Sequence, residues 1–63
     1  MKKLKGKARF DNIDYVWQAQ KFFRVQAKEA RWSDEYIESI FRKLGDPDIN
    51  QERYMEELLE YFE

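Results

Sequence analysis

Trp17, Lys21, Arg24, Lys28 and Arg31 recur at i, i+4, i+7, i+11 and i+14. On a helix this spacing lays one indole and four cations along a single side. Trp and Arg are the residues that dominate protein-protein hot spots. Cations interleaved with an aromatic ring also suit a phosphate backbone. The competing structural role is a Trp17 covered by the N-terminal residues, with cations that only solvate the helix. A second constellation is acidic. Glu52, Glu56, Glu60 and Glu63 follow one another down one side of the last segment. Like charges at i, i+4 oppose a helix by about 0.2–0.5 kcal/mol per pair, and Glu60 and Glu63 also oppose the dipole at its C-terminus. Something must offset that cost. The candidates are a neighbouring basic segment of the same chain, or a partner: a basic protein surface, or a protein that binds nucleic acid and accepts a mimic of it.

Covalent and acid-base chemistry have little to work with. The chain has no His, no Cys and no Thr, and its two serines are Ser33 and Ser39. The most common general base and the best nucleophile are therefore missing. Ser33 is placed to cap a helix, and Ser39 has no imidazole to activate it. Glu56 and Glu57 are adjacent, so on a helix they diverge by about 100°. Asp46, Asp48 and Asn50 hint at a calcium loop, but the distal Glu does not follow in register and Pro47 interrupts the spacing. The expectation is a non-enzymatic protein with no cofactor and no metal.

Three helices would position these stripes. Asp11 is an N-cap candidate, with Phe10 and Tyr15 spaced as a hydrophobic staple. No Gly or Pro occurs from residue 12 to 31, which predicts one helix over 12–31. Its apolar face would comprise Tyr15, Val16, Ala19, Phe22, Phe23, Ala27 and Ala30, leaving Trp17 outside. Ser33 caps a second helix over 34–44, with Asp34 and Glu35 in its first turn, where the dipole favours acids. Trp32 and Ile37 form a further staple, which assigns Trp32 a structural role. Ile37, Ile40, Phe41 and Leu44 make the inward stripe, Phe23 and Phe41 sit centrally on their respective faces, and Gly45 ends the helix in a left-handed conformation. The third helix covers 47–62. Either Asp46 caps it with Pro47 at the first position, or Asp48 caps it with Gln51 as partner. Tyr54, Met55, Leu58, Leu59 and Phe62 face inward. A helix-turn-helix reading of the last two helices fails on charge, since the acidic third helix would have to enter a groove walled by phosphates.

Charge is segregated along the 63 residues although the net charge is only −1. Residues 1–9 carry five cations and no acid, residues 10–45 carry six of each sign, and residues 46–63 carry seven acids against Arg53 alone. The first nine residues are expected to be a flexible basic arm, and residues 10–63 a small all-α domain, a three-helix bundle. No stretch approaches the ~20 apolar residues of a membrane span, and the basic start leads into no apolar signal core. With Cys absent, a cytoplasmic location is expected. Five Phe, four Tyr and two Trp stand against four Leu, so packing must rely on large rings. The functional expectation is a protein-binding module, a small regulator or inhibitor of the kind phages and mobile elements encode, docking on a larger protein. Its partner-binding residues would be Trp17, Lys21, Arg24, Lys28 and Arg31, with Glu52, Glu56 and Glu60 as the second choice. The alternatives are a nucleic-acid-binding accessory protein using the basic arm and first helix, or a structural homodimer.

Overall fold

The computed structural model describes Lys3–Glu63 and is all-α. Four helices follow in order: α1 (Lys7–Asp11), α2 (Val16–Glu29), α3 (Asp34–Leu44) and α4 (Gln51–Leu59). The expected first helix over 12–31 is shortened to Val16–Glu29, and a separate short helix precedes it. Asp11 is the last residue of α1, not the cap of a longer helix, and the Asn12 side chain donates to the Ala8 carbonyl at 3.0 Å. Asp11, Asn12 and Asp14 all have polar groups that compete with helical backbone bonds. That competition ends the helix without any Gly or Pro. Tyr15 is extended, opens α2 without a side-chain cap, and points outward, so the proposed staple of Phe10 on Tyr15 does not form.

The supposed flexible arm is a structural member from Leu4 onward. Leu4 is 1% exposed and pairs with Phe62 in an isolated parallel bridge. Its N–H donates to the Tyr61 carbonyl at 2.8 Å, and the Glu63 N–H donates to the Leu4 carbonyl at 2.9 Å. The two ends of the chain are clasped together. Met1 and Lys2 of the expected arm lie outside the described residues.

The α3 boundaries agree with expectation, 34–44, because their signals are local. The Ser33 hydroxyl accepts from the Tyr36 N–H at 3.1 Å, and Gly45 closes the helix at φ 81°, ψ −151°. This is a positive-φ region that glycine tolerates, although it is not the left-handed α conformation. α4 starts later than either cap candidate implied. Asn50 is the cap, its Oδ1 accepting from the Arg53 N–H at 3.0 Å. Asp46 instead accepts from the Asp48 N–H at 2.9 Å, folding the Pro47 segment into a turn that comes before the helix.

Phe23 is the centre of the core, with no exposed surface. The rings of Trp32, Phe41, Tyr61 and Phe62 meet it edge-on, at centroid distances of 6.0, 5.4, 5.6 and 5.9 Å. Edge-to-face pairs contribute about 0.5–1.5 kcal/mol each beyond area burial. Ala19 and Ala27, one turn to either side of Phe23, are fully buried, and their small side chains leave room for the surrounding rings. Trp32 is buried as expected, but its indole N–H has no acceptor among the described residues. Phe41, expected to be as central as Phe23, is only half-buried. Phe23→Ala should therefore cost about 3–5 kcal/mol, comparable to the ~3–5 kcal/mol a core of this size supplies, and leave the chain largely unfolded. Phe41→Ala should cost clearly less, and chemical denaturation of the two variants checks the order.

A second prediction concerns Gly6, which has φ 100° and lies under the Phe22 ring. A Cβ there would come within 2.8 Å of Phe22 Cζ. Gly45 has positive φ but open space where a Cβ would go. Gly45→Ala should cost about 1 kcal/mol from backbone strain alone. Gly6→Ala should cost more, because strain and collision add, and the two melting temperatures measure the difference.

Candidate functional site

Trp17, Lys21, Arg24 and Lys28 lie along one exposed side of α2, and two of the cations reach across to α3. Arg24 reaches α3, where its guanidinium pairs with Glu38 at 2.8 Å and lies 4.7 Å over the Phe41 ring. Lys28 pairs with Asp34, the first residue of α3, at 3.4 Å. Both pairs are exposed, and such pairs contribute only about 0.2–1 kcal/mol. Their effect is on availability: two of the four cations already face acids of the same molecule.

Arg31 lies beyond the end of α2, at φ 65°. The Trp32 N–H donates to the Ala27 carbonyl at 2.9 Å and the Arg31 N–H to the Lys28 carbonyl at 3.0 Å. This is the double-bonded helix terminus in which the left-handed residue is usually glycine. An arginine there pays a backbone cost that its exposed side chain does not visibly recover within the fold. Its neighbours across the surface are Lys3 and Lys5, which line a groove of about 330 Å³ with it and with Glu29.

Trp17 and Lys21 remain on the outer face of α2, and the structure adds Val25 to them. Trp17 is 62% exposed and Val25 48%. Their i, i+4, i+8 spacing stacks them along the side of α2 away from Phe23. Gln18 and Glu29 flank this face, and Arg9 closes one edge of it, 5.7 Å from the half-buried Phe22 ring. Together they enclose an open groove of about 580 Å³. Val25 was missed because a single Val in a polar stretch draws no attention. Its signal was its spacing of eight from Trp17.

The acidic strip runs along α4 to its C-cap, Glu60. Glu57, from outside the strip, pairs with Arg53 at 3.4 Å. Glu52 and Glu56 face the turn between α1 and α2, whereas Glu60 follows the end of α4 near Tyr61. The Tyr61 phenol is held above its usual value of 10.0, first by burial, then by the charges of Tyr36, Glu57 and Glu60. At the opposite end of α4 the buried Tyr54 hydroxyl accepts from Gln20 Nε2 at 2.8 Å, joining α4 to α2.

Among the described residues, no group of three or more carboxylates is arranged to hold a metal ion, and no helix is long and apolar enough to cross a membrane. Ser33 is engaged as a cap, and the Ser39 hydroxyl donates to the Tyr36 carbonyl at 2.6 Å. The surface presents an exposed indole with an aliphatic neighbour, a cationic corner and an acid-rimmed groove. Compared with family models, curated proteins and solved structures, the chain matched none of them.

The strained arginine yields a direct test. Arg31→Gly should raise stability by up to about 1 kcal/mol, since glycine relieves the left-handed strain. The gain should appear as a higher melting temperature, and a loss would mean that the Arg31 side chain contributes to the fold.

Proposed function

We propose that the protein is a non-enzymatic protein-binding module, a small regulator or inhibitor that docks on a larger protein through the outer face of α2. The observation that carries this reading is Trp17, a large aromatic 62% exposed beside a half-exposed Val25. In a chain that spends nearly all of its other rings on the core, these two side chains contribute little to folding. Truncating an indole at the centre of an interface costs at least about 2 kcal/mol of binding. Lys21 stands between them in the i+4 position and gives the patch a cationic rim. Arg24 and Lys28, both engaged with α3, belong to the support of this face more than to its contact surface.

A nucleic-acid-binding accessory role is the second reading, and the shared groove of Lys3, Lys5 and Arg31 favours it. It joins cations from the two segments that the sequence marked as basic. The two readings separate on salt, because phosphate contacts release counterions and weaken steeply as salt rises.

The experiment is affinity capture from a lysate with the wild type and with Trp17→Ala, each with and without nuclease. A protein retained by the wild type, lost with Trp17→Ala and indifferent to nuclease is the expected result. Trp17→Ala should keep its helical circular dichroism and its melting temperature, because surface substitutions stay within about 0.5 kcal/mol. Capture that is indifferent to Trp17 but abolished by nuclease overturns the proposal in favour of the second reading.

A further inference from the structure

A groove of about 470 Å³ separates the α1–α2 turn from α4. Its floor is apolar: Phe10, Ile13, Val16, Met55 and Leu59. Its rim carries four carboxylates, those of Asp11, Asp14, Glu52 and Glu56, and no Lys or Arg lines it. Glu52, Met55, Glu56 and Leu59 follow i, i+3, i+4 and i+7, so one wall is a single face of α4 presenting acids and aliphatic groups in alternation.

Among the described residues, no Lys or Arg forms an ion pair with a carboxylate of this rim. Arg53, the cation of α4, turns to Glu57. Arg9 lies over Phe22, and Lys3 and Lys5 line the groove beside Arg31. Arg24 and Lys28 are paired with α3. Of the basic N-terminal segment, Lys3, Lys5 and Arg9 are thus turned away from the rim, and Lys7, one turn before Asp11 on α1, forms no ion pair with it. Glu52 and Glu56 keep their like-charge repulsion, and Asp11 and Asp14 add to the negative field across a low-polarity floor.

We propose that this groove is a docking site for a cationic amphipathic helix of a partner protein. The apolar floor takes the partner's aliphatic side chains at i, i+3, i+4 and i+7, and the four carboxylates take Lys or Arg on the helix flanks. Both halves are required. A purely basic ligand leaves the floor open to water, and a purely apolar one leaves the rim unpaired. The site is separate from the Trp17 face, so the two proposals stand or fall independently.

The test uses fluorescence anisotropy with a labelled Leu/Lys peptide of about four helical turns, its Leu residues at i, i+3, i+4 and i+7. The comparators are the same composition in scrambled order and the same order with Glu replacing Lys. The wild-type chain should bind the ordered cationic peptide, bind the scrambled one about tenfold more weakly, and not bind the acidic one. The double variant Glu52→Lys, Glu56→Lys should lose about tenfold or more in affinity. Both positions are exposed, and circular dichroism confirms that the variant is folded. The milder pair Glu52→Gln, Glu56→Gln provides the same reading without charge reversal. Glu60→Lys with Glu63→Lys, outside the groove, and Trp17→Ala should each retain binding. Equal affinity for the scrambled peptide, or an equal loss with the Glu60 and Glu63 pair, overturns the proposal by reducing it to a diffuse negative field. Self-association of the chain in sedimentation, abolished by Glu52→Lys with Glu56→Lys, overturns it in favour of a second copy as the occupant.

Discussion

Phe23 has no exposed surface, and four rings from α3, the α2–α3 connection and the C-terminal residues close on it edge-first. With no Cys in the chain, no disulfide can hold so short a domain together. Cohesion has to come from burying area, and aromatic side chains bury the most per residue. Concentrating them on one ring makes the fold cooperative. It also makes the fold intolerant at that position, since α3, through Phe41, and the C-terminal residues, through Tyr61 and Phe62, pack on the same side chain.

Phe62 reaches Phe23 because the chain ends are clasped. The Leu4 pairing fixes the C-terminal residues after α4 and sets the Phe62 ring between Phe10, at 4.8 Å, and Phe22, at 5.9 Å. Phe22 in turn covers Gly6, where a Cβ would collide with it. The N-terminal segment thus seals one edge of the core. It also spends its position in doing so: Lys3 and Lys5 end up beside Arg31 and Arg9 over Phe22, leaving the acids at the start of α4 without an ion pair from them. The same clasp therefore contributes to cohesion and to the uneven surface.

How much of this could be read from the sequence depended on range. Ser33, the Asp34–Leu44 helix and its stop at Gly45 follow from signals within a few residues and were legible, although Gly45 does not adopt the left-handed helical conformation expected of it. So were the burial of Trp32, which rests on its staple position just before the Ser33 cap, and the exposure of Trp17, which rests on its place around one helix. The break at Asn12 was not, because three side chains that weaken a helix were outweighed in the reading by the absence of Gly and Pro. The burial of Leu4 carried no signal at all. A single paired residue has no periodicity, and five nearby cations suggested solvent. The surroundings of the candidate site were hidden for the same reason. Arg24 and Lys28 lie on the predicted stripe, but what they face depends on how α3 crosses α2. The acid-rimmed groove joins residues 11–16 to residues 51–59, a relation that no local spacing encodes.

Whether the N-terminal segment is a structural member or a loose arm decides most of the rest, because the sealed core and the acid-rimmed groove both depend on it. Native-state hydrogen exchange at two amides reads this directly. The Leu4 N–H donates to the Tyr61 carbonyl and the Glu63 N–H to the Leu4 carbonyl, and neither is held by anything else in the clasp. If the clasp is part of the cooperative unit, both amides exchange at rates approaching that of global unfolding, alongside the amides of α2 around Phe23. Exchange of Leu4 and Glu63 at the rates of an unstructured chain, with the α2 amides still protected, would contradict it and return residues 1–9 to the role of a free basic arm.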